Sequence, residues 1–376
     1  MSGAAHLKLT AVDKFYGSVG HGVHAVQAVS MDVAQGDIVA LLGSSGCGKT
    51  STLRMIAGFE EVSRGTITLA GRAVQALPPV KRNVAMAFEG YSLYPTVNVR
   101  DNIAFALKAR RLPDAEVARR VGQVAEMLEI EGILDRFPSS ISGGQQQRAS
   151  LARALVRDAD LHLLDEPMGQ LEPQLRTILR GRIKHYIKER GLTAILVTHD
   201  QTEANALADR IAVMEGGVLQ QYGSPAEIKD RPANLFTGTF VGEPPMNVLP
   251  ASVSAEGGRL RFDLKEGVAL TYDAGTFAPE VRDMVLGKRE VVLGVRPYAV
   301  HRSGTGAQAK VLVNQWLGDQ SHIAASFAGT TVVLVEHDRA RVAEGEAIAL
   351  DIRAADLHVF DPSSGRALSH GGALAA

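Results

Sequence analysis

Hydrophobic and polar residues alternate from Leu7 to Val12 and again from Val26 to Val33, the period-two pattern of half-buried strands. After Asp37 the run Ile38-Val39-Ala40-Leu41-Leu42 is wholly apolar, which predicts a strand covered on both faces. It enters Gly43 directly, and Thr50 to Ala57 continues with helical spacing. Asn102 to Leu134 is helical and charged, with a break at Pro113. Two more apolar runs, Leu161-His162-Leu163-Leu164 and Ala194-Ile195-Leu196-Val197, read as buried strands. Strands alternating with helices of this length predict an α/β fold with a largely parallel, helix-flanked sheet.

Around Gly238 the texture changes. Pro244-Pro245 and Pro250 interrupt the chain, and short alternating segments follow: Arg259 to Leu264, Val291 to Val295, Lys310 to Val313 and Thr331 to Val335. With turns such as Glu256-Gly257-Gly258 between them, these are the marks of a small all-β domain. The pattern divides the chain into residues 1–240 and 241–376, and the small polar residues after Arg366 are expected to fray.

At 376 residues the chain exceeds a typical single domain, which agrees with that division. Its 45% apolar and 22% charged residues fit a soluble globular protein with a sizeable core. Formal net charge is −1 with acids and bases mixed, so the basic stripe that nucleic acid requires is absent and no nucleic-acid partner is expected. Cys47 is the single cysteine, which excludes an internal disulfide and suits a reducing cytoplasm. No apolar stretch reaches the roughly 18–20 residues of a membrane span. Met1 to Lys8 lacks the basic start and apolar core of a signal peptide. An intracellular protein is expected, one that reaches a membrane by docking on other subunits.

The strand ending at Leu42 leads into Gly43, Ser44, Ser45, Gly46, Cys47, Gly48, Lys49 and Thr50, a phosphate-binding loop of the form G-x-x-x-x-G-K-[ST] that runs on through Ser51 into a helix. Its backbone N–H groups can wrap a phosphate, Lys49 can reach the terminal phosphates of a nucleotide, and the Thr50 hydroxyl can hold Mg²⁺. Cys47 is expected to be a reactive thiolate that bound nucleotide protects, with an inert filler as the alternative. Leu161 to Leu164 is followed by Asp165 and Glu166, two carboxylates at the carboxyl end of a buried strand. In phosphoryl transfer such a pair divides the work: Asp165 holds Mg²⁺ and Glu166 orients the attacking water.

Ser142-Gly143-Gly144-Gln145, preceded by Ile141, resembles the signature of ATP-binding cassette (ABC) proteins. The resemblance covers nearly the whole chain. It implies a P-loop ABC ATPase domain with a helical subdomain at about 90–160, followed by an OB-like regulatory domain that contributes to dimer contact. It further implies that Ser142, Gly144 and Gln145 close over an ATP held in the facing subunit, in a homodimer or a heterodimer with a second ABC ATPase. Val197-Thr198-His199-Asp200 is similar to the family's switch, in which His199 senses the γ-phosphate. Tyr16 matches the aromatic that stacks on adenine, although the chain carries extra residues in Gly17 to His24.

Tyr91-Ser92-Leu93-Tyr94-Pro95 is similar to the cleft that receives the membrane subunits. Arg231 to Phe236, Pro244-Pro245-Met246-Asn247, Gly294-Val295-Arg296-Pro297 and Leu357 to Asp361 resemble the carbohydrate-uptake importers of the maltose and glycerol-3-phosphate type. The partners implied are two transmembrane permease subunits and, through them, a periplasmic or surface solute-binding protein. The place implied is the cytoplasmic face of the cell membrane. Two departures stand out: Glu89 where the family has a catalytic, metal-touching glutamine, and Gly169-Gln170-Leu171-Glu172 where it has S-[AN]-L-D. They leave open a weakly hydrolysing half of a heterodimer beside a fully active ATPase. A soluble ABC ATPase of DNA repair or translation would need basic surface or long insertions, and neither is present.

Overall fold

The computed structural model describes residues 5–17 and 22–374. They form two compact units that divide between Pro225 and Ala226. In chain order the first unit runs β1 (Leu7–Tyr16), β2 (Val23–Val33), β3 (Ile38–Gly43), α1 (Lys49–Ala57), β4 (Arg64–Leu69), β5 (Arg72–Ala73) and β6 (Val84–Ala87). It continues with α2 (Val99–Ala109), α3 (Asp114–Met127), α4 (Gly143–Leu155), β7 (Leu161–Asp165), α5 (Pro173–Glu189), β8 (Ala194–Val197), α6 (Gln201–Leu207), β9 (Arg210–Glu215) and β10 (Val218–Gly223).

The main sheet has the order β10-β9-β3-β8-β7-β6. All neighbours are parallel except β10, which returns antiparallel along β9. β3, β7 and β8 are buried at every position, so their continuous apolar runs are what a sheet covered on both faces demands. Register pairs Leu41 with Val197, Val197 with Asp165, and Leu164 with Ala87. The loops that follow these strands therefore leave from one edge, the place where open α/β sheets bind ligands. A second, antiparallel sheet, β2-β1-β4-β5, shares a core with α1 and the main sheet through Leu9, Ile67, Leu53, Met55, Val39 and Leu161. Helices α2, α3 and α4 fill the interval between β6 and β7, and α3 starts directly after Pro113.

The second unit opens within α7 (Pro225–Asp230), one residue after its start, and continues with α8 (Leu235–Phe240), β11 (Asn247–Glu256), β12 (Arg259–Asp263), β13 (Ala269–Asp273), α9 (Pro279–Lys288) and β14 (Glu290–Val295). Next come β15 (Val300–Ser303), β16 (Ala307–Trp316), β17 (Ser321–Phe327), β18 (Thr330–Glu336), β19 (Ala347–Ile352), β20 (Leu357–Phe360), β21 (Ala367–His370) and β22 (Ala373–Leu374). They make two sheets, β13-β12-β11-β14-β20-β21-β22 and β15-β19-β16-β17-β18, around one core that includes Phe262, Leu293, Phe327, Leu334, Leu350 and Val359.

Three sequence expectations need adjusting. The division lies before 240, because α7 and α8 belong with the second unit: buried Arg296 donates to the carbonyls of Lys229 and Gly238 at 2.7 and 2.8 Å. The described residues after Arg366, up to 374, are strands rather than a frayed tail. They pair as β21 and β22, with Ser369 fully buried and the Ala367 N–H donated to the Ala233 carbonyl. Of the stretch Gly17 to His24, residues 18–21 lie outside the described residues, and β2 resumes at Val23. No helix among the described residues is long and apolar enough to cross a membrane.

Candidate active site

Residues 43–50 form a turn between β3 and α1, as a phosphate loop must. Gly48 caps α1 at φ 100°, a left-handed conformation, and a Cβ there would stand 2.4 Å from the Ala25 carbonyl oxygen. The Lys49 ammonium donates to the carbonyls of Gly43 and Ser44, both at 2.8 Å, so the cation sits inside its own loop. The Ser44 hydroxyl donates to Glu215. Thr50, Ser45 and Gly46 line the cavity in front of the loop, with Ser51 one position further along α1. Tyr16, at the end of β1, reaches the same helix. Its hydroxyl lies 3.1 Å from Ser51 Oγ, and the Lys14 ammonium sits 4.8 Å from its ring centre.

Cys47 departs from the expectation of a reactive thiolate. Its side chain turns into the apolar core, 2% exposed, and burial pushes the thiol pKa up despite Lys49 at 3.7 Å. Burial favours the neutral thiol here, which speaks for the filler rather than the thiolate.

The cavity at the loop, about 360 Å³, gathers Lys49, Thr50, Glu89, Gln147, Glu166 and His199. These residues come from α1, α4 and the loops after β6, β7 and β8. Asp165 is buried beside them, and its Oδ1 has no hydrogen-bond partner. Burial first, then the charges of Glu89 and Glu166, raise its pKa to about 6 against the pull of Arg54 and Lys49. A buried carboxylate oxygen without a donor, next to two further acids, is chemistry that suits a hard divalent cation. Among the described residues no three Asp, Glu, His or Cys side chains converge into a metal cage. Mg²⁺ takes one or two protein carboxylates and completes its shell with phosphate oxygens and water.

Glu166 carries unusual backbone geometry, φ 47° in a residue with a side chain. Its N–H donates to the Val197 carbonyl at 2.9 Å, and its Oε1 lies 2.9 Å from His199 Nδ1. Glu166 and His199 thus meet directly. Behind them sit residues the sequence reading missed. Thr198 donates to buried Glu203 at 2.8 Å, and burial raises the Glu203 pKa to about 7. Arg176, on α5, bridges Asp200 at 3.2 Å to the Leu171 carbonyl at 3.1 Å. Gln147 bonds the backbone at Glu166 and Gln170. None of the three left a trace in the sequence: Gln147 is the last of three consecutive glutamines on a helix that also carries Arg148, Ser150 and Arg153.

Ser142 caps α4. Its Oγ accepts from the Gln145 N–H at 3.3 Å, while Gln145 Oε1 accepts from the Ser142 N–H at 3.0 Å. Gly144 must be small, since a Cβ would come within 3.2 Å of the Gln170 carbonyl oxygen. None of Ser142, Gly144 and Gln145 lines the cavity at Lys49. The capped end of a thirteen-residue helix remains available to an anion from elsewhere.

Known proteins share this arrangement. Residues 26–169 match the family model of the ABC transporter, residues 242–299 the MalK OB fold domain, and residues 293–360 the TOBE domain. The sn-glycerol-3-phosphate import ATP-binding protein of Cereibacter sphaeroides is 40% identical over 97% of this chain and 100% of its own length. The chain belongs to the ATP-binding proteins of ABC transporters. The trehalose/maltose import ATP-binding protein of Thermococcus litoralis is 39% identical over 97% of this ABC protein and 100% of its own length. The lactose transport ATP-binding protein of Rhizobium radiobacter is 38% identical over 96% and 99%. A dimeric ATP-binding cassette in a post-hydrolysis state, bound to ADP and Pi, superposes with a TM-score of 0.54 at 25% identity, covering 58% of this chain and 98% of that one.

This ABC protein has a second concavity, about 670 Å³, away from Lys49. Phe59, Val80, Tyr94 and Phe105 line it and stay exposed, at 53%, 87%, 43% and 53%. Arg153 stands over Tyr94 at 5.4 Å and donates to the Ser92 carbonyl at 2.7 Å, tying the wall of the groove to α4.

Proposed function

We propose that this chain is the ATP-hydrolysing subunit of an ABC importer for a sugar, polyol or glycerol phosphate. What supports the reading is the convergence of Lys49, Thr50, Glu166 and His199 on one cavity at the carboxyl edge of a parallel sheet. Gly43 to Ser51 cradles the phosphates of ATP, and Tyr16 offers its ring to the adenine. Lys49 leaves its loop carbonyls for phosphate oxygens. Thr50, Asp165 and Glu89 would hold Mg²⁺, whose charge offsets that of the polyphosphate. Glu166 orients the attacking water, and His199 donates to the γ-phosphate and steadies Glu166. This is catalysis by positioning and charge, with no covalent intermediate.

Two such chains face each other, each offering Ser142, Gly144 and Gln145 to the other's ATP. The facing chain is a second copy or a different ABC ATPase. The exposed aromatic groove at Phe59 and Tyr94 takes an apolar segment of a permease subunit, which holds the chain at the cytoplasmic face of the membrane. A solute-binding protein then supplies the cargo to the permease.

The test is uptake and ATP turnover in the transporter assembled with its permease. Lys49→Ala is expected to abolish both, because no other side chain in the cavity supplies a cation to the phosphates. Undiminished uptake with Lys49→Ala would sink the proposal.

A further inference from the structure

Helix α4 buries Gln147 to 4% exposure. Its Nε2 donates to the Glu166 carbonyl at 2.8 Å, and its Oε1 accepts from the Gln170 N–H at 2.9 Å. One carboxamide therefore fastens both ends of the segment from Glu166 to Gln170. That segment needs fastening. Glu166 holds φ 47°, a left-handed conformation that is strained for a residue with a Cβ. Its N–H is tied to β8 through Val197, and its carbonyl is tied to α4 through Gln147. With both flanking peptides fixed, the Cα–Cβ direction is fixed too, and the carboxylate meets His199 at 2.9 Å.

The capped signature lies less than two turns back along the same helix. Gln147 lies five residues from Ser142, about 7 Å along the helix axis. A helix this short moves as a rigid rod, so a displacement at the capped end arrives at Gln147 undiminished.

We propose that Gln147 is a positioning residue that couples the signature helix to the catalytic carboxylate. Contact of Ser142 with the facing subunit's nucleotide sets α4, α4 sets the Glu166 peptide through Gln147, and that peptide aims the carboxylate at water. The coupling rests on the reading in which Glu166 orients water and Ser142 faces the partner's ATP. It makes one site's readiness depend on occupation of the other.

A double-mutant cycle in the full-length chain tests this, reading ATP turnover and the affinity for mant-ATP. Gln147→Met keeps the length and removes both hydrogen bonds. It is expected to cut turnover by about 100-fold, the cost of misplacing a reacting group by about an ångström. The affinity for mant-ATP should stay within about twofold. In a Glu166→Gln background the same substitution should lower residual turnover by less than about twofold, because the group it aims is already gone. Gln147→Asn, one methylene short of spanning both peptides, should behave alike, and it carries the test if Gln147→Met melts early. Equal losses in the two backgrounds, or parent-like turnover in either variant, would overturn the coupling. Parent-like turnover in Glu166→Gln alone would overturn the reading of Glu166 itself, and the coupling with it.

Discussion

A carboxylate at position 89 puts a third acid beside Asp165 and Glu166, where the family has a neutral amide. Glu89 is exposed at the rim of the cavity, yet its charge helps to raise the Asp165 pKa to about 6. The same charge opposes a polyphosphate. At 4 Å and an effective dielectric of 20 that repulsion is about 4 kcal/mol, which solvent and a neutralising metal reduce to roughly 1 kcal/mol. Glu89→Gln is therefore expected to raise ATP turnover of the assembled transporter by roughly fivefold. Unchanged or lower turnover would show that the carboxylate is a better metal ligand than it is a burden. Glu172 is the milder departure: it stands exposed at the N-cap of α5 and makes no capping bond. At this scale the places of Lys49, Asp165 and Glu166 were legible because spacing along single strands and turns encodes them, whereas His199 was singled out only through the resemblance of Val197-Thr198-His199-Asp200. Gln147, Arg176 and Glu203 were not, since their partners lie on other loops and several are backbone atoms that leave no mark in a sequence. Cys47 was misjudged because the core, not the helix end, decides where its sulfur points.

The helix that presents the phosphate loop is secured at its far end by one buried guanidinium. Arg82 donates to the carbonyls of Met55 and Ile56 at 2.6 and 3.0 Å, closing the last turn of α1, and also to those of Leu77 and Gln75. Its charge is shared by carbonyls alone, and burial lowers its pKa. Arg82→Met would leave those carbonyls without a donor, and the expected cost is about 3 kcal/mol in denaturant unfolding. A loss below about 0.5 kcal/mol would mean that water replaces the guanidinium without penalty. Among elements, β3 and β8 declared themselves because full burial keeps their strands free of polar side chains, and β7 because its leucines outnumber His162 and the terminal Asp165. The short pair β21 and β22 did not, since small residues serve equally well in a frayed tail and in a tightly packed strand.

Each unit of the molecule buries histidines that stay neutral. In the first, burial holds His162 of β7 down to about 4; in the second, it holds His358 and His370, 2.9 Å apart, down to about 3 and about 4. Unfolded, each would titrate near 6.5. The unfolded chain binds more protons than the folded one between these values. Stability is then complete above pH 6.5 and is lost as pH falls toward 4, by up to about 1.4 kcal/mol per pH unit for each histidine. His162→Gln should flatten the pH dependence of unfolding of the first unit by one proton, and an unchanged slope would contradict the assignment. The two-unit plan was legible in the change of texture near Gly238. The division itself was not, because α7 and α8 are short helices that join a mostly β unit, which also carries α9, through Arg296 and a bridge from Asn234 to Arg366.

The central claim for the whole molecule is that Glu166 drives ATP hydrolysis at an interface of two chains. The most direct measurement is ATP turnover by the full-length Glu166→Gln chain at saturating Mg-ATP, with the bound nucleotide and the molecular mass followed together. The account predicts turnover reduced by at least ~100-fold, with ATP retained in a dimer, since the amide keeps the shape of the site and loses the base. Parent-rate turnover would contradict it.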